Sequence, residues 1–334
     1  MRALLAVTAL ALAVAMPAVG QTGADEPTGA GVTIAVLDTG IDSSHGELSG
    51  RVTRQSFAEP QLPLPVPGVA VPYPEDPDGQ GTAVASLAAS NERGVAPQAS
   101  LLDLQVSAKY TGQAVVDPET EAAAIEALDA LLRDPGRAQV VVLSFAQAGV
   151  SESGGATLAQ QARGLWDAGV LVIVPTGPTV NALATARHVL TVAGEACPAS
   201  LGPALKPDLM APSEDLTAAT PTNGVTPGAT AAVSGTAYAA AQVAGAAALL
   251  LDVQPDLPVD ALAAYLRDAA TDVGEAGPDA CSGFGELDAG EAVEWARLWH
   301  DPLDVGAGRS TPGLALPVLL VGLAAAAWAG RRHA

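Results

Sequence analysis

The chain has 334 residues, a formal charge of −21 at pH 7 and an apolar content of 49%. A surface this acidic repels nucleic acid and anionic lipid, which excludes both as general partners. Aromatic residues make up only 3% of the chain, so we expect no aromatic platform for a carbohydrate, and the core must be built from Ala, Val and Leu. The length suits one domain of about 250–300 residues with short additions at its ends.

The first 20 residues have the pattern of a secretory signal. Arg2 supplies the positive charge, residues 4–16 form an apolar run, and residues 18–20 are small, as at a cleavage site. A polar linker follows at residues 21–29. We therefore expect the domain to be secreted.

The C-terminal part predicts an anchor. Residues 314–330 are an uncharged apolar run of 17 residues, and Arg331 and Arg332 follow it. We predict a stalk at 298–312, a transmembrane helix or sorting signal at 313–330, and a cytoplasmic basic tail at 331–334. The sorting-signal alternative rests on a similarity to the C-termini of archaeal surface proteins, in which an archaeosortase-like enzyme replaces the tail. Both alternatives place the globular domain outside a cell surface.

Between these ends, strand and helix patterns alternate, which predicts an α/β domain at residues 30–297. The apolar strand 32–37 places Asp38 at its carboxyl end, the edge at which parallel sheets build sites. Residues 51–77 are rich in Pro, Val and acidic residues and predict an irregular surface loop. Further buried strands are predicted at 140–145, 169–174 and 188–194, and helices at 118–133, 156–168 and 255–270.

A dense run of small residues follows Val233 and ends at Gly245. It predicts a buried, Ala-rich helix that passes close to neighbouring backbone. Ser234, Gly235 and Thr236 come directly before the run and predict a tight, capped helix start.

Several motifs, in chain order, resemble those of the subtilisin-like serine proteases. The resemblance covers about residues 31–297 and implies a three-layer α/β fold with a mainly parallel central sheet. The motifs that carry it are Asp38–Asp42, Gly81–Ala85, Gly94–Pro97, Lys206–Pro212, Gly235–Gly245 and Gly283–Ala289.

The same resemblance implies that the catalytic set is degenerate. Asp38 matches the triad aspartate, but Gln80 occupies the position of the general-base histidine, Ala237 that of the nucleophilic serine, and Pro178 that of the oxyanion asparagine. An amide is not a useful base near neutral pH, a methyl group cannot attack a carbonyl, and proline has no N–H to donate. This implies a pseudoprotease that binds a peptide or protein segment in the former substrate groove. The alternative is an active endopeptidase with relocated residues, for which Ser234 and Thr236 flank the site.

The sequence predicts no metal site and leaves the state of the two cysteines open. Asp42 matches a position that often serves calcium in the family, but the four residues 90–93 are short for the calcium-binding insertion, so we expect no metal. Cys197 and Cys281 could form a disulfide if the domain is extracellular, or remain two buried thiols.

Overall fold

The computed structural model describes residues 26–58, 75–107, 116–144, 150–177, 182–198, 206–221 and 228–298. The predicted signal peptide, the transmembrane or sorting segment 313–330 and the basic tail lie outside these residues. Within them, one helix, Thr236–Val253, is long and apolar enough to cross a membrane, and 61% of it is buried inside the domain. It is the predicted Ala-rich core helix.

A seven-stranded, fully parallel sheet forms the centre of the domain. Its strand order is β2-β3-β1-β4-β5-β6-β7, and a separate antiparallel pair, β8 and β9, lies beyond it. The strands are β1 (Thr33–Asp38), β2 (Val52–Ser56), β3 (Ser100–Gln105), β4 (Val140–Leu143), β5 (Leu171–Pro175), β6 (Leu190–Ala193), β7 (Leu209–Met210), β8 (Leu216–Ala219) and β9 (Thr230–Val233).

Helices cover both faces of the sheet, so the predicted three-layer α/β architecture is confirmed. The alternating side chains of β1 show the arrangement, because Ala35 and Leu37 join the core beneath α2 and α3, whereas Ile34 and Val36 are buried on the side of α1 and α4. The helices are α1 (Gln80–Ala89), α2 (Pro118–Arg133), α3 (Glu152–Asp167), α4 (Thr236–Val253), α5 (Val259–Asp268) and α6 (Ala289–Leu298).

Small residues let α4 lie directly against α1. A Cβ atom added at Gly245 would come within 2.6 Å of the Ala88 carbonyl oxygen and 2.7 Å of Val95 Cβ. No real side chain tolerates such distances without moving its neighbours. The predicted close approach of α4 to neighbouring backbone is therefore confirmed.

The start of α4 differs from the prediction. The capping residue is Gly235, with φ 146°, and no side chain caps the helix. The Ser234 hydroxyl instead accepts a hydrogen bond from Asp215 N at 3.0 Å. The predicted side-chain cap is therefore wrong: glycine starts the helix, and the Ser234 hydroxyl is bonded to the neighbouring loop.

Three other segments also differ from the predictions made from the sequence. The loop predicted at 51–77 contains β2, an edge strand, because β3 supplies its hydrogen-bond partners and residues 51–58 contain none of the prolines of this segment. Helix α3 begins at Glu152 rather than 156, since Ser151 caps it and Gly154 leaves room for Glu121. Helix α5 begins at Val259, immediately after Pro258, rather than at 255.

Cys197 and Cys281 form a disulfide across 84 residues of chain. Both residues are exposed, so the alternative of two buried thiols does not apply. The bond joins the loop after β6 to the turn before the last helix.

Replacing Gly245 by valine should lower the free energy of unfolding by about 2–3 kcal/mol, because the new side chain must separate α4 from α1. Gly46→Val is the matched control, since a Cβ at Gly46 meets nothing within 4 Å, and its effect should stay within about 0.5 kcal/mol. Chemical denaturation would measure both. Equal stability of the two variants would contradict the tight α1–α4 packing.

Candidate functional site

The candidate site lies at the carboxyl edge of the sheet, where β1, β4 and β5 end. Asp38 is the last residue of β1 and only 2% exposed. Helix α1 begins beside it at Gln80, and α4 begins two strands away, where the Thr236 hydroxyl donates to the Thr176 carbonyl oxygen at 2.8 Å. The fold therefore brings the predicted site positions 38, 80 and 237 to one edge.

Gln80 is hydrogen-bonded to Asp38, as the base of a triad would be. Its Nε2 donates to Asp38 Oδ2 at 3.1 Å and to the Ser144 carbonyl oxygen at 3.1 Å. A carbonyl oxygen can only accept, so the amide nitrogen must face Ser144 and the orientation of the carboxamide is determined. Both N–H groups of Gln80 are used within the protein.

Two further donors surround the Asp38 carboxylate. The Ser144 hydroxyl donates to Oδ2, and Thr39 N donates to Oδ1 at 2.6 Å. Ser144, directly after β4, is completely buried. The sequence analysis did not assign Ser144 to the site. Its position at the end of a buried strand that pairs with β1 could have identified it.

Asp76 fastens the start of α1 to the turn after β1. It accepts hydrogen bonds from the Thr39 hydroxyl at 2.7 Å, from Gly79 N at 2.8 Å, and from the backbone and hydroxyl of Thr82 at 2.8 and 2.6 Å. Sequence reasoning placed Asp76 in a loop and missed it. An acidic residue four positions ahead of a helix start was the signal that could have identified it.

Glycines allow the two backbones to touch at this point. A Cβ at Gly81 would lie 2.0 Å from the Gly40 carbonyl oxygen. Gly40 itself has φ 116°, and a Cβ there would lie 2.1 Å from Glu75 O. Residues with side chains could not place Gln80 this close to Asp38.

Asp103 supports the same turn from β3. It accepts from Ile41 N at 3.0 Å and from Arg54 Nε at 2.6 Å, while its Oδ1 is buried without a partner. Burial raises the pKa of Asp103 to about 6, although the charge and hydrogen bond of Arg54 and the bond from Ile41 lower it and the charge of Asp76 raises it.

Burial also dominates the ionisation of Asp38 and raises its pKa to about 7. The hydrogen bond from Ser144 lowers the pKa, the charge of Asp76 raises it, and the bonds from Thr39 and Gln80 lower it. Burial raises the pKa of Asp76 as well. Three buried carboxyls thus lie in this part of the sheet, and Arg54 forms an ion pair with one of them, Asp103.

Ala237 is the second residue of α4 and is partly exposed. Its neighbour Tyr238 lies with its ring edge 3.7 Å from the position that a Cβ of Gly235 would take. Burial raises the pKa of the Tyr238 phenol, and the charges of Asp38, Asp78 and Asp76 raise it further. The phenol is therefore neutral and close to these carboxylates.

Two predicted features have no direct counterpart here. Pro178 lies outside the described residues. Asp42 is 6% exposed, and its Oδ1 accepts from the backbone and hydroxyl of Ser44 at 2.9 and 2.6 Å. Within the described part of the chain, no group of three or more His, Cys, Asp or Glu side chains could hold a metal ion.

The two described histidines are engaged elsewhere. His45 is fully buried; its Nε2 hydrogen-bonds the Ala229 carbonyl oxygen at 3.1 Å, and its Nδ1 accepts from Glu47 N. His188 packs edge-on against Trp166. Neither is hydrogen-bonded to Asp38.

A parallel three-layer domain with an aspartate at the end of β1 and two helix N-termini beside it defines the subtilisin-like class of α/β proteins. The model of the subtilase family, peptidase S8, matches residues 29–285. The chain belongs to the subtilase family, and the family predicted from the motifs is confirmed.

Curated relatives support the same assignment. The subtilisin-like serine protease Pen ch 13 of Penicillium rubens is 28% identical over 242 residues, which is 69% of this chain and 54% of that protein. Subtilisin DY of Bacillus licheniformis is 28% identical over 269 residues, which is 74% of this chain and 86% of that protein. The chain thus spans about half the length of the Penicillium relative.

Solved structures share the fold. The prenylagaramide maturation protease PagA has a TM-score of 0.61 and 22% identity, and the match covers 79% of this chain and 93% of that one. A lanthipeptide protease has a TM-score of 0.59 and 21% identity, covering 79% and 87%.

The pKa of Asp38 predicts an unusual pH dependence of stability. Its folded pKa of about 7 lies above the ordinary 3.8, so the folded state binds the proton more tightly between these values. The stabilisation is complete below about pH 4 and is lost as the pH rises through 7, by up to about 4 kcal/mol. Asp103, raised to about 6, acts in the same direction.

Asp38→Asn should therefore flatten the fall in unfolding free energy between pH 5 and pH 8, measured by urea denaturation. Asp260→Asn, at an exposed carboxyl that accepts from Trp166 Nε1, should keep the wild-type profile. An unchanged slope in Asp38→Asn would show that Asp38 is ionised throughout this range.

Proposed function

We propose that this member of the subtilase family is a pseudoprotease that binds a peptide or protein segment in the former substrate groove without cleaving it. The observation that carries the proposal is the hydrogen bond from Gln80 Nε2 to Asp38 Oδ2. It occupies the contact that a general base would need, with a group that cannot accept a proton.

The absence of a base follows from the chemistry of the carboxamide. Both N–H groups of Gln80 are donated inward, to Asp38 and to the Ser144 carbonyl oxygen, and an amide nitrogen has no basic lone pair. His45, one of the two described histidines, is buried and bonded to Ala229 O. A serine placed at 237 would have no group in the described residues to remove its proton.

Relocated nucleophiles are also disfavoured. Ser144 contacts Asp38, but it is completely buried and cannot reach a substrate. The Thr236 hydroxyl donates to Thr176 O, and the Ser234 hydroxyl accepts from Asp215 N and is not hydrogen-bonded to a base among the described residues. An active endopeptidase therefore lacks a supporting observation among the described residues.

The contacts that hold the two helix starts support the binding part of the proposal. Asp38, Asp76 and Asp103 hold the turn after β1 and the start of α1 through buried hydrogen bonds, and α4 begins beside β5. Buried hydrogen-bond networks of this kind hold one geometry, although Asp103 Oδ1 is left without a partner. This frame supports binding, as the proposal requires, independently of bond cleavage.

Secretion and surface anchoring are part of the proposal and rest on the sequence. The N-terminal apolar run and the run 314–330 with its basic tail support a domain exported through a signal peptide and held by a single-pass helix or a sorted C-terminus. The exposed disulfide between Cys197 and Cys281 fits an oxidising compartment.

The test is fluorophosphonate labelling and peptide hydrolysis by the purified protein, beside a variant that carries Gln80→His, Pro178→Asn and Ala237→Ser. Wild type should be inert, since removing the nucleophile or the base of such a triad lowers kcat about 10⁶-fold. The variant should be labelled. The matched control carries Gln80→His and Pro178→Asn alone and should remain unlabelled, because it has no serine oxygen. Labelling or hydrolysis by wild type would overturn the proposal.

The binding part is tested separately on an array of random peptides of about ten residues. Wild type should retain a subset of sequences, and Tyr238→Ala, which alters the groove beside Ala237, should change that subset. Retention of no peptide would contradict a peptide-binding role.

A further inference from the structure

The carboxylate of Glu195, two residues after β6, holds the segment that follows β7. Its Oε2 accepts a hydrogen bond from Ser213 N at 2.8 Å and another from the Ser213 hydroxyl, and Glu195 N donates to the Ser213 hydroxyl oxygen at 3.2 Å. Partial burial raises the pKa of Glu195, but the hydrogen bonds from Ser213 and from neighbouring backbone N–H groups outweigh it and lower the pKa. Glu195 is therefore ionised at neutral pH, and its hydrogen bonds are charge-assisted.

Ser213 in turn fixes the start of α4. Gly235, the residue directly ahead of the helix, donates its N–H to Ser213 O at 2.7 Å. Gly194 lies against the same two segments, since a Cβ there would come 2.1 Å from Ser213 Oγ and 3.4 Å from the methyl group of Thr236. Consecutive contacts thus join the residues at the end of β6 to the first turn of α4, which carries Ala237.

The disulfide lies close to Glu195 in the chain, because Cys197 is only two residues further on. In the described part of the chain, two kinds of bond tie residues 195–198 to the rest of the domain: the hydrogen bonds between Glu195 and Ser213, and the disulfide to Cys281. The first three residues of this segment are exposed, so burial does little to hold them. The disulfide therefore limits how far Glu195 can move away from Ser213.

The other end of the disulfide is held by bonds of its own. Three backbone hydrogen bonds of 2.8–2.9 Å fasten the chain after Cys281 to β7 and the residue before it: Phe284 N to Asp208 O, Met210 N to Gly285 O, and Leu287 N to Met210 O. These bonds do not involve the sulfur atoms. Loss of the disulfide should therefore release the segment that carries Glu195 and leave the domain folded.

Both cysteines are exposed, and an exposed disulfide is open to attack by a thiolate. One sulfur of a dithiol reductant attacks one cysteine sulfur, so the S–S bond breaks and a mixed disulfide forms. The second sulfur of the reductant then displaces the cysteine that it holds. The reductant is oxidised to a disulfide, and Cys197 and Cys281 gain two electrons and two protons and become thiols.

We propose that Glu195 is a positioning residue for the first turn of α4 and that the Cys197–Cys281 disulfide holds it in place, so that reduction by a dithiol loosens the start of α4 while the domain stays folded. The oxidised protein then presents Ala237 and Tyr238 on a fixed helix start, and the reduced protein does not. Weaker binding of a peptide by the reduced protein is a consequence that rests on the proposed peptide-binding function.

The first experiment is hydrogen–deuterium exchange of the purified full chain with and without dithiothreitol, a dithiol, followed by mass spectrometry. Reduction should speed exchange of the Ser213 and Gly235 amides about tenfold or more, because their hydrogen bonds depend on the position of Glu195. The Gln98 amide, which donates to Thr28 O ahead of β1, should be unaffected. Far-UV circular dichroism should be the same in both forms.

Variants at position 195 test whether the disulfide acts through this residue. Oxidised Glu195→Ala should show the same faster exchange at Ser213 and Gly235, and reduction of this variant should add little. Glu195→Gln keeps an acceptor oxygen and should restore part of the protection, which a purely steric role of the side chain would not predict. Glu214→Ala, at the exposed carboxyl next to Ser213, is the matched control and should behave as wild type.

Peptide affinity gives a second measurement. The Kd of one peptide selected on the array, measured by calorimetry, should rise about fivefold or more when wild type is reduced. A variant with Cys197→Ser and Cys281→Ser should bind as reduced wild type does and should not respond to dithiothreitol.

The outcomes separate this proposal from the peptide-binding function. Unchanged exchange at Ser213 and Gly235 after reduction, an effect of reduction in Glu195→Ala as large as in wild type, or unfolding of the reduced protein would overturn the role of Glu195 and the disulfide. If the array retains no peptide, the peptide-binding function fails, and the exchange measurement still decides the role of Glu195. Equal Kd values in the two redox forms, together with faster exchange, would refute the effect on the groove alone.

Discussion

The site depends on a buried hydrogen-bond cluster at the carboxyl end of β1. Asp38 accepts from Gln80, Ser144 and Thr39, and Asp76 ties the same turn to the first turn of α1. Since an unpaired polar group at this depth would cost about 1–3 kcal/mol, each donor is needed where it stands. The position of α1, and with it the shape of the groove, follows from this cluster.

The cluster also shows what holds Asp38 in place beside a neutral partner. In a triad, the aspartate orients an imidazole and stabilises its positive charge. Here the partner is a neutral carboxamide, so no positive charge opposes the burial of Asp38, and its pKa rises to about 7. Asp38 therefore positions the Gln80 side chain, and a carboxamide at position 80 changes the electrostatics of the site.

The family provides a rigid frame that tolerates this change. The parallel sheet, the glycine contacts between Gly40 and Gly81 and the α1–α4 contact at Gly245 place the helix starts independently of the groups that would react. Fold and activity are thus separable.

The sequence alone determined the family, the three layers, the close packing of the Ala-rich helix and the replacements Gln80 and Ala237, because these depend on local periodicity and on residue type at motif positions. It did not identify β2, the glycine start of α4, or the roles of Ser144, Asp76 and Asp103. Those depend on contacts between segments tens of residues apart in the chain, such as Ser144 with Asp38. The orientation of the Gln80 amide was likewise decided only by the tertiary structure, because two acceptors from different strands must meet at one nitrogen.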